Sequence, residues 1–322
     1  MPFALGDFMD GLFIVFANSL TALALCLAVG FICRKTLLIN DTHTAGLTNL
    51  LVRVAMPCTV FISLMRPFSR DLLLESVATV FITGVIYILG GFIGKIITKV
   101  IKCSNGERQG WQFGTAFGNV GFMGIPVIAA VYGQDAVIYV AMALTSFNLL
   151  SFTFGARMFD NAPKKINIRD FFVKNPVIVA IIIGIVFFAS GLRLPTALES
   201  GISSIGSITT PLSMIILGII LARQRLSIQD VFSDIKIFVP IAAKLLLIPL
   251  TSLAILFWFV PNPLMLSVIV TLMSMPPAAL AAIFAEQYGA DSYATTKFIV
   301  MGTVLCVITV PAVAITVEFA LR

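Results

Sequence analysis

The 322 residues of this chain are 59% apolar and only 11% charged, with a mean hydropathy of +1.05. About a quarter of the residues in a soluble globular protein are charged, so this composition excludes an ordinary soluble fold. The net charge of +6 indicates a bias of Lys and Arg toward one membrane face, and it does not require nucleic-acid binding.

Apolar runs long enough to cross a bilayer recur along the chain. A spanning helix needs about 20 apolar residues, whereas a strand of a membrane barrel needs only about 10. The runs therefore predict an all-α polytopic membrane protein with about ten transmembrane helices. We place the spans at 11–33, 43–65, 72–95, 109–132, 136–158, 175–192, 199–222, 236–259, 264–286 and 295–319.

The positions of Lys and Arg predict the orientation of these spans. If the N-terminus lies outside, most of the 21 Lys and Arg residues flank the inner ends of the spans, as the positive-inside rule requires. The first residues carry Asp7 and Asp10 but no basic residue, unlike a cleavable signal peptide. We predict a multi-pass protein of the cell (inner) membrane with both termini outside.

A charge-rich stretch at 159–174 divides the predicted spans into two sets of five. Because five is odd, the second set would enter the membrane from the opposite face, giving an inverted-topology repeat. Short patterns shared by the two halves support this, such as YGQD at 132–135 and YGAD at 288–291. We predict a first five-helix repeat at 1–158, a cytoplasmic linker at 159–174 and a second, inverted repeat at 175–322.

The fourth and ninth predicted spans are both interrupted. GNVGFMGIP occupies 118–126 of the fourth span, and SMPP occupies 274–277 of the ninth. Proline removes a helical hydrogen bond, and glycine accepts the backbone angles that result. Non-helical backbone within a membrane survives only inside protein or beside a cavity, and a pair of such breaks points to a transporter's binding site. We predict two broken helices that cross at these breaks.

At such a crossing, the N-termini of two half-helices would converge with free N–H groups and could bind an anion. Asn119 would add a polar group there, and Asn148 places a second amide at bilayer depth. A plainer interpretation is a pair of proline kinks whose glycines serve helix packing, but the pairing of the breaks favours a site. The candidate substrate-binding residues are Asn119, Gly121, Gly124, Pro126, Asn148, Ser274, Pro276 and Pro277.

Arg53 and Lys244 lie inside predicted spans, whereas no Asp or Glu lies in the middle of one. Intramembrane charges are functional candidates by default, although Lys244 could instead reach the inner surface by snorkelling. Two cations without an anion disfavour a cationic substrate and suit an organic anion.

No motif in the sequence predicts an enzyme. The chain has one histidine, His43, and five scattered cysteines without a C-x-x-C pair, so we expect neither a zinc site nor a disulfide framework. With one histidine and no acidic residue in the middle of a span, the chain offers few groups for general acid–base catalysis. We predict no cofactor and no metal; the expected partners are a small organic anion and membrane lipid, not nucleic acid, and a homodimer is left open.

The chain resembles the auxin efflux carrier family over nearly its whole length. The resemblance implies two broken, crossing helices with a carboxylate bound at the crossover, such as an auxin-like acid in plants or a dicarboxylate in bacteria. It also implies a transport domain that moves against a scaffold of spans one, two, six and seven. The segments that carry the resemblance are LTNLLVRVAMPCTVFISL (47–64), GNVGFMGIPVIAAVYG (118–133), TTPLSMIILGIILA (209–222) and SMPPAALAAIFAEQYGAD (274–291).

Individual residues can be carried over from the same resemblance. Asn148 matches an asparagine that is common in the fifth span of the family. Plant carriers place a lysine in the eighth span near an acid at the start of the third, which makes Lys244 a counterpart and Asp71 the candidate acid. The second break departs from the pattern because it begins with Ser274 and has no asparagine.

Together these features predict a secondary active transporter of a small organic anion that works by alternating access. One alternative is a sodium-coupled organic anion symporter of the bile-acid type, which sodium dependence would distinguish. Another is a membrane receptor or sensor that binds a carboxylate without transporting it, which a translocation assay would distinguish.

Overall fold

A computed structural model describes residues 21–22, 24–65, 69–159, 176–223 and 235–321 of the chain. These residues form helices joined by turns, with one isolated β-bridge. The predicted linker at 159–174, apart from Phe159, lies outside the described residues, as do both termini and the start of the first span.

The first half of the sequence forms helices α1 to α7, and the second half forms α8 to α15. The first set is α1 (24–35), α2 (Asp41–Leu50), α3 (Met56–Leu64), α4 (Arg70–Val100), α5 (Asn105–Ala116), α6 (Ile125–Tyr132) and α7 (Val137–Leu150). The second set is α8 (Pro176–Ser190), α9 (Thr196–Ser207), α10 (Thr209–Arg223), α11 (Phe238–Ala242), α12 (Ile248–Leu256), α13 (Pro263–Met273), α14 (Leu280–Gln287) and α15 (Ser292–Ala320).

Among the described residues, six continuous helical segments are long and apolar enough to cross a membrane, and they coincide with predicted spans two, three, five, seven, eight and ten. They are Asp41–Leu64, Arg70–Val100, Gln134–Met158, Thr196–Ile219, Ile235–Leu256 and Ser292–Ala320. Three shorter apolar helices, Val120–Tyr132, Pro176–Ser190 and Pro263–Met273, fall in spans four, six and nine. The all-helical polytopic fold is thus confirmed, and the arrangement of five plus five spans stays a prediction.

Side chains cap several of these helices where the first N–H groups lack helical partners. At the start of α5, Ser104 and Glu107 form a reciprocal capping box. The side chain of Asn262 accepts from two N–H groups at the start of α13, and Asp291 accepts from the N–H of Ala294 at the start of α15. These polar residues therefore set the helix boundaries between apolar runs.

Both intramembrane cations lie in π-helical turns that precede a proline. Arg53 lies in the turn Leu51–Ala55 before Pro57, and Lys244 lies in the turn Ala243–Leu247 before Pro249. A proline cannot donate to the carbonyl one turn earlier, and such π-bulges often occur at functional sites.

The chain divides into two compact units, each of which combines segments from both halves of the sequence. The first unit takes the described residues of Met1–Pro67, Ile125–Val137 and Asn175–Arg225, and the second takes those of Phe68–Gly124, Ile138–Lys174 and Leu226–Arg322. The first unit thus holds the described parts of spans one, two, six and seven, which the family resemblance groups together, and it also holds the second half of span four.

Each unit has its own internal packing. In the first, α3 packs against α8 and α9, and the hydroxyl of Thr59 donates to the carbonyl of Gly206 at 2.7 Å. In the second, α4 and α15 both pack against α5, and α14 packs against α15. The second unit therefore brings together both interrupted segments, 117–119 and 274–279.

Candidate functional site

The two interrupted segments meet at an isolated antiparallel bridge between Gly118 and Pro277 in the second unit. The N–H of Asn119 donates to the carbonyl of Pro276 at 2.7 Å. The N–H of Ala278 donates to the carbonyl of Phe117 at 3.0 Å. Buried backbone groups need such partners, so each break supplies the hydrogen bonds that the other lost with its helix.

The bridge changes the anion cradle that was expected from the sequence. The N–H groups of Asn119 and Ala278 are engaged in the bridge, and the N–H of Val120 donates to the carbonyl of Gly118 at 2.9 Å. The side-chain oxygen of Asn119 accepts from the N–H of Phe122 at 3.2 Å. These four N–H groups are therefore not free for an anion, and the expectation of free donors does not hold for them.

A buried lysine lies against the bridge. The side chain of Lys244 is 0% exposed, and its Nζ has no hydrogen-bond partner among the described residues. A Cβ placed on Gly118 would lie 3.1 Å from this Nζ and 3.1 Å from the carbonyl oxygen of Met275. Glycine at position 118 thus makes room for the lysine, which does not snorkel to a surface. A buried cation without a partner is costly, so this position favours an anionic ligand.

Tyr87 of α4 places a second buried polar group near the bridge. Its ring stacks on that of Phe117 with centroids 5.3 Å apart, and Phe117 directly precedes Gly118. The Tyr87 hydroxyl is buried and, within the described part of the chain, has no hydrogen-bond partner. Most buried hydroxyls in proteins are paired. Tyr87 was not among the residues predicted from the sequence, where its one signal is that it is the single tyrosine of the third span.

The prolines of the second break are held by glycines on two neighbouring helices. A Cβ on Gly302 of α15 would collide with the Pro277 ring, and one on Gly114 of α5 would lie 3.0 Å from it. Ser274 is fully buried, and its hydroxyl donates to the carbonyl of Thr271 at 2.8 Å. Close packing of Pro276 and Pro277 therefore fixes this break, and the Ser274 hydroxyl already has a backbone partner.

The remaining substrate-binding candidates occupy different surroundings. The amide of Asn148 is half-buried and donates to the carbonyl of Leu144 at 2.8 Å. Gly121 and Gly124 lie in the π-helical turn Val120–Gly124, and a Cβ on Gly124 would come within 2.8 Å of Leu272. Pro126 lies in the first turn of α6, which belongs to the first unit.

The three charge candidates are divided between the two units, with Arg53 in the first and with Asp71 and Lys244 in the second. Arg53 is exposed in the first unit. Asp71 is exposed in the first turn of α4, and no ion pair joins it to Lys244 in the described structure.

Glu75, one turn after Asp71, is the acid with polar partners at this end of α4. Its carboxylate accepts from the hydroxyl of Tyr139 at 2.6 Å and from the side-chain amide of Asn262 at 2.8 Å. These contacts join α4, α7 and α13. Glu75 therefore belongs to a hydrogen-bond network that connects three helices of the second unit.

No group of three His, Cys, Asp or Glu side chains in the described ranges could hold a metal ion. The polar side chains at or close to the bridge include Lys244, Tyr87 and Asn119. This combination of a cation with neutral polar groups is suited to an anion.

Comparison with known proteins gives matches to transporters. A family model described as "Membrane transport protein" matches residues 15–173 and again residues 171–314. An "Uncharacterized transporter" of Methanothermobacter thermautotrophicus is 27% identical over 292 residues, which are 88% of this chain and 92% of that protein. A "Putative malonate transporter" of Rhizobium meliloti is 25% identical over 279 residues, which are 82% of this chain and 84% of that protein.

Proposed function

The chain belongs to the membrane transport protein family, which is the family of the auxin efflux carriers, and we propose that it is a secondary active transporter of a small carboxylate that works by alternating access. The observation that carries the proposal is the buried Nζ of Lys244, which lies beside the bridge of two broken spans and has no hydrogen-bond partner among the described residues. The proposed activity is translocation without catalysis.

The charge of the substrate follows from the polar groups near the bridge. An ammonium removed from water without a counter-ion is destabilised, and a bound carboxylate would supply the missing charge. The Tyr87 hydroxyl could donate to the same carboxylate, since buried donors are rarely left unpaired. In this proposal Lys244 and Tyr87 contact the anion, and Asn119 and Asn148 supply further polar contacts.

The backbone of the two breaks has a structural role in this proposal. The bridge between Gly118 and Pro277 allows non-helical backbone to exist within the membrane at little cost. Gly121, Gly124, Pro126, Ser274 and Pro276 shape the two breaks. The proposal assigns substrate binding to the second unit, which moves, and the scaffold role to the first, where Arg53 is a candidate for tuning charge.

A dicarboxylate is the first substrate to test, because a relative that is 25% identical is named as a malonate transporter. Purified protein in liposomes should exchange external labelled malonate or malate against internal unlabelled anion. In Lys244→Gln this counterflow should fall about tenfold or more, because the charge partner of the carboxylate is removed. Lys236→Gln changes an exposed lysine that begins the same span and serves as the matched control.

Three outcomes would count against the proposal. Wild-type counterflow by a correctly folded Lys244→Gln protein would show that Lys244 is not part of the anion site. Counterflow that requires sodium would favour the sodium-coupled symporter. Binding of a carboxylate, seen as a rise in thermal stability, without any translocation would favour a receptor or sensor.

A further inference from the structure

A polar cavity of about 530 Å³ lies within the second unit, and none of the bridge residues lines it. It is formed by the C-terminal half of α4, the start of α5 and the helical turns Ser151–Gly155 and Ala156–Met158 that end the fifth span. Four basic side chains line it: Lys95, Lys99, Arg108 and Arg157. Basic residues that flank membrane spans are concentrated on the cytoplasmic side, so we expect this cavity to face the cytoplasm.

Among the described residues, the four basic side chains of this cavity have no acidic counterpart. No Asp or Glu lines the cavity, and none of the four forms an ion pair within the described ranges. Glu107 is adjacent to Arg108 in sequence, but its carboxylate accepts from the N–H of Ser104 at 2.9 Å. Arg108 itself donates to the side-chain oxygen of Asn105 at 2.8 Å. Four like charges around one cavity repel one another until an anion binds between them.

Two aromatic side chains also line the cavity, and one of them belongs to an exposed apolar stripe on α4. Phe92 and Phe154 line the cavity, and Phe92 is 52% exposed. On α4 the exposed apolar residues follow a spacing of three or four, so they form one stripe along the helix. This α4 stripe consists of Phe81, Val85, Leu89, Phe92, Ile96 and Val100.

Gly91 lies where α4 packs against the end of the fifth span beside the cavity. A Cβ at Gly91 would lie 2.6 Å from both Phe154 and Met158. A side chain at this position would therefore have to displace the ends of these two side chains. The basic side chains of the cavity come from α4, from the start of α5 and from the end of the fifth span.

We propose that this cavity binds the phosphate headgroup of an anionic phospholipid, with its acyl chains along the α4 stripe. Basic pockets between membrane helices on the cytoplasmic side recognise such headgroups. Arg108 and Arg157 offer the planar donor sets that suit phosphate oxygens. A soluble phosphate compound shares the headgroup chemistry but has no chains to contact the stripe, so a lipid uses both features of the surface.

The test is native mass spectrometry of the purified protein titrated with phosphatidylglycerol or phosphatidylcholine of matched chain length. Phosphatidylglycerol should be retained preferentially, and Lys95→Gln/Arg157→Gln should lower its retention about tenfold. Lys35→Gln/Lys236→Gln removes two basic residues outside the cavity and should keep wild-type retention. Lys95→Arg/Arg157→Lys preserves the charge and should keep the lipid preference, which separates loss of charge from misfolding.

Competition with soluble glycerol phosphate distinguishes the two sources of the headgroup. We expect it to displace the lipid only at far higher concentration than phosphatidylglycerol itself. Displacement at equal concentration would indicate a site for a free anion and would overturn the proposal. Equal retention of the two lipids, or undiminished phosphatidylglycerol retention by a folded Lys95→Gln/Arg157→Gln protein, would overturn it as well.

Discussion

Gly118 and Lys244 share one small volume: a Cβ on the glycine would lie 3.1 Å from Nζ and 3.2 Å from Cε of the lysine. The glycine also pairs with Pro277 in the bridge between the two breaks. A single position therefore joins the interrupted backbone of the fourth span, that of the ninth, and the buried cation of the eighth.

Gly118→Ala tests this relationship directly. The new methyl group would press on the lysine and on the carbonyl oxygen of Met275, and the backbone oxygen cannot swing away. We expect a lower melting temperature and a lower rate of carboxylate counterflow. Gly201→Ala, where no atom lies within 4 Å of the added Cβ, should keep both values or raise the stability by about 0.5–1 kcal/mol. Equal behaviour of the two variants would contradict the packing argument.

Tyr87→Phe should separate ligand binding from stability. The hydroxyl of Tyr87 has no partner among the described residues, and an unpaired buried hydroxyl costs about 1–3 kcal/mol. Its removal should therefore leave the ligand-free protein as stable as before or more stable, while weakening carboxylate binding. Thermal unfolding with and without the anion measures both effects. A variant with unchanged affinity would show that Tyr87 does not contact the substrate.

Substitutions at Asn119 distinguish a capping role from a binding role. Its side-chain oxygen accepts from the N–H of Phe122, so Asn119→Ala should cost about 1 kcal/mol of stability. Asn119→Ser keeps an oxygen for the cap but loses the amide donor. If the amide contacts the substrate, counterflow should fall in both variants. Full counterflow in the serine variant would limit Asn119 to capping.

Glu75 and Asp71 should behave differently, although they are one turn apart. Glu75 accepts from Tyr139 and Asn262, and a hydrogen bond to a charged group contributes about 1.5–3 kcal/mol. A double-mutant cycle of Glu75→Gln with Tyr139→Phe should therefore reveal coupling in thermal unfolding. Asp71→Asn should keep stability and counterflow, because Asp71 forms no ion pair with Lys244. Loss of transport in Asp71→Asn would instead support the pairing that the family resemblance suggests.

The fold class and the position of the breaks could be read from the sequence because each depends on local chemistry. Runs of apolar residues specify membrane helices, and the prolines at 126, 276 and 277 remove helical hydrogen bonds wherever they stand. The asparagine at 119 was identified because polar side chains are scarce in such apolar runs. The short helices Val120–Tyr132 and Pro263–Met273 lie where these signals predict broken spans.

Local pattern cannot reveal which buried atoms meet. The sequence indicated free N–H groups at both breaks, whereas those of Asn119 and Ala278 bond across the bridge. It left the direction of the Lys244 side chain open between the inner surface and the interior, and it did not single out Tyr87. The bridge and the place of Lys244 depend on residues more than a hundred positions apart, and the place of Tyr87 depends on its contact with Phe117 of another helical segment.

By itself, the sequence determined that this is a polytopic helical membrane protein of a transporter family, with two interrupted spans and more cations than acids within the predicted spans. Hydrophobic burial and proline geometry act over a few neighbouring residues, so a linear pattern suffices to predict them. Only the tertiary structure decided that the two breaks pair with each other, that Lys244 lies against their bridge without a described partner, and that Tyr87 lies close by. The reason is that packing and hydrogen-bond satisfaction depend on which helices become neighbours, and periodicity does not encode that choice.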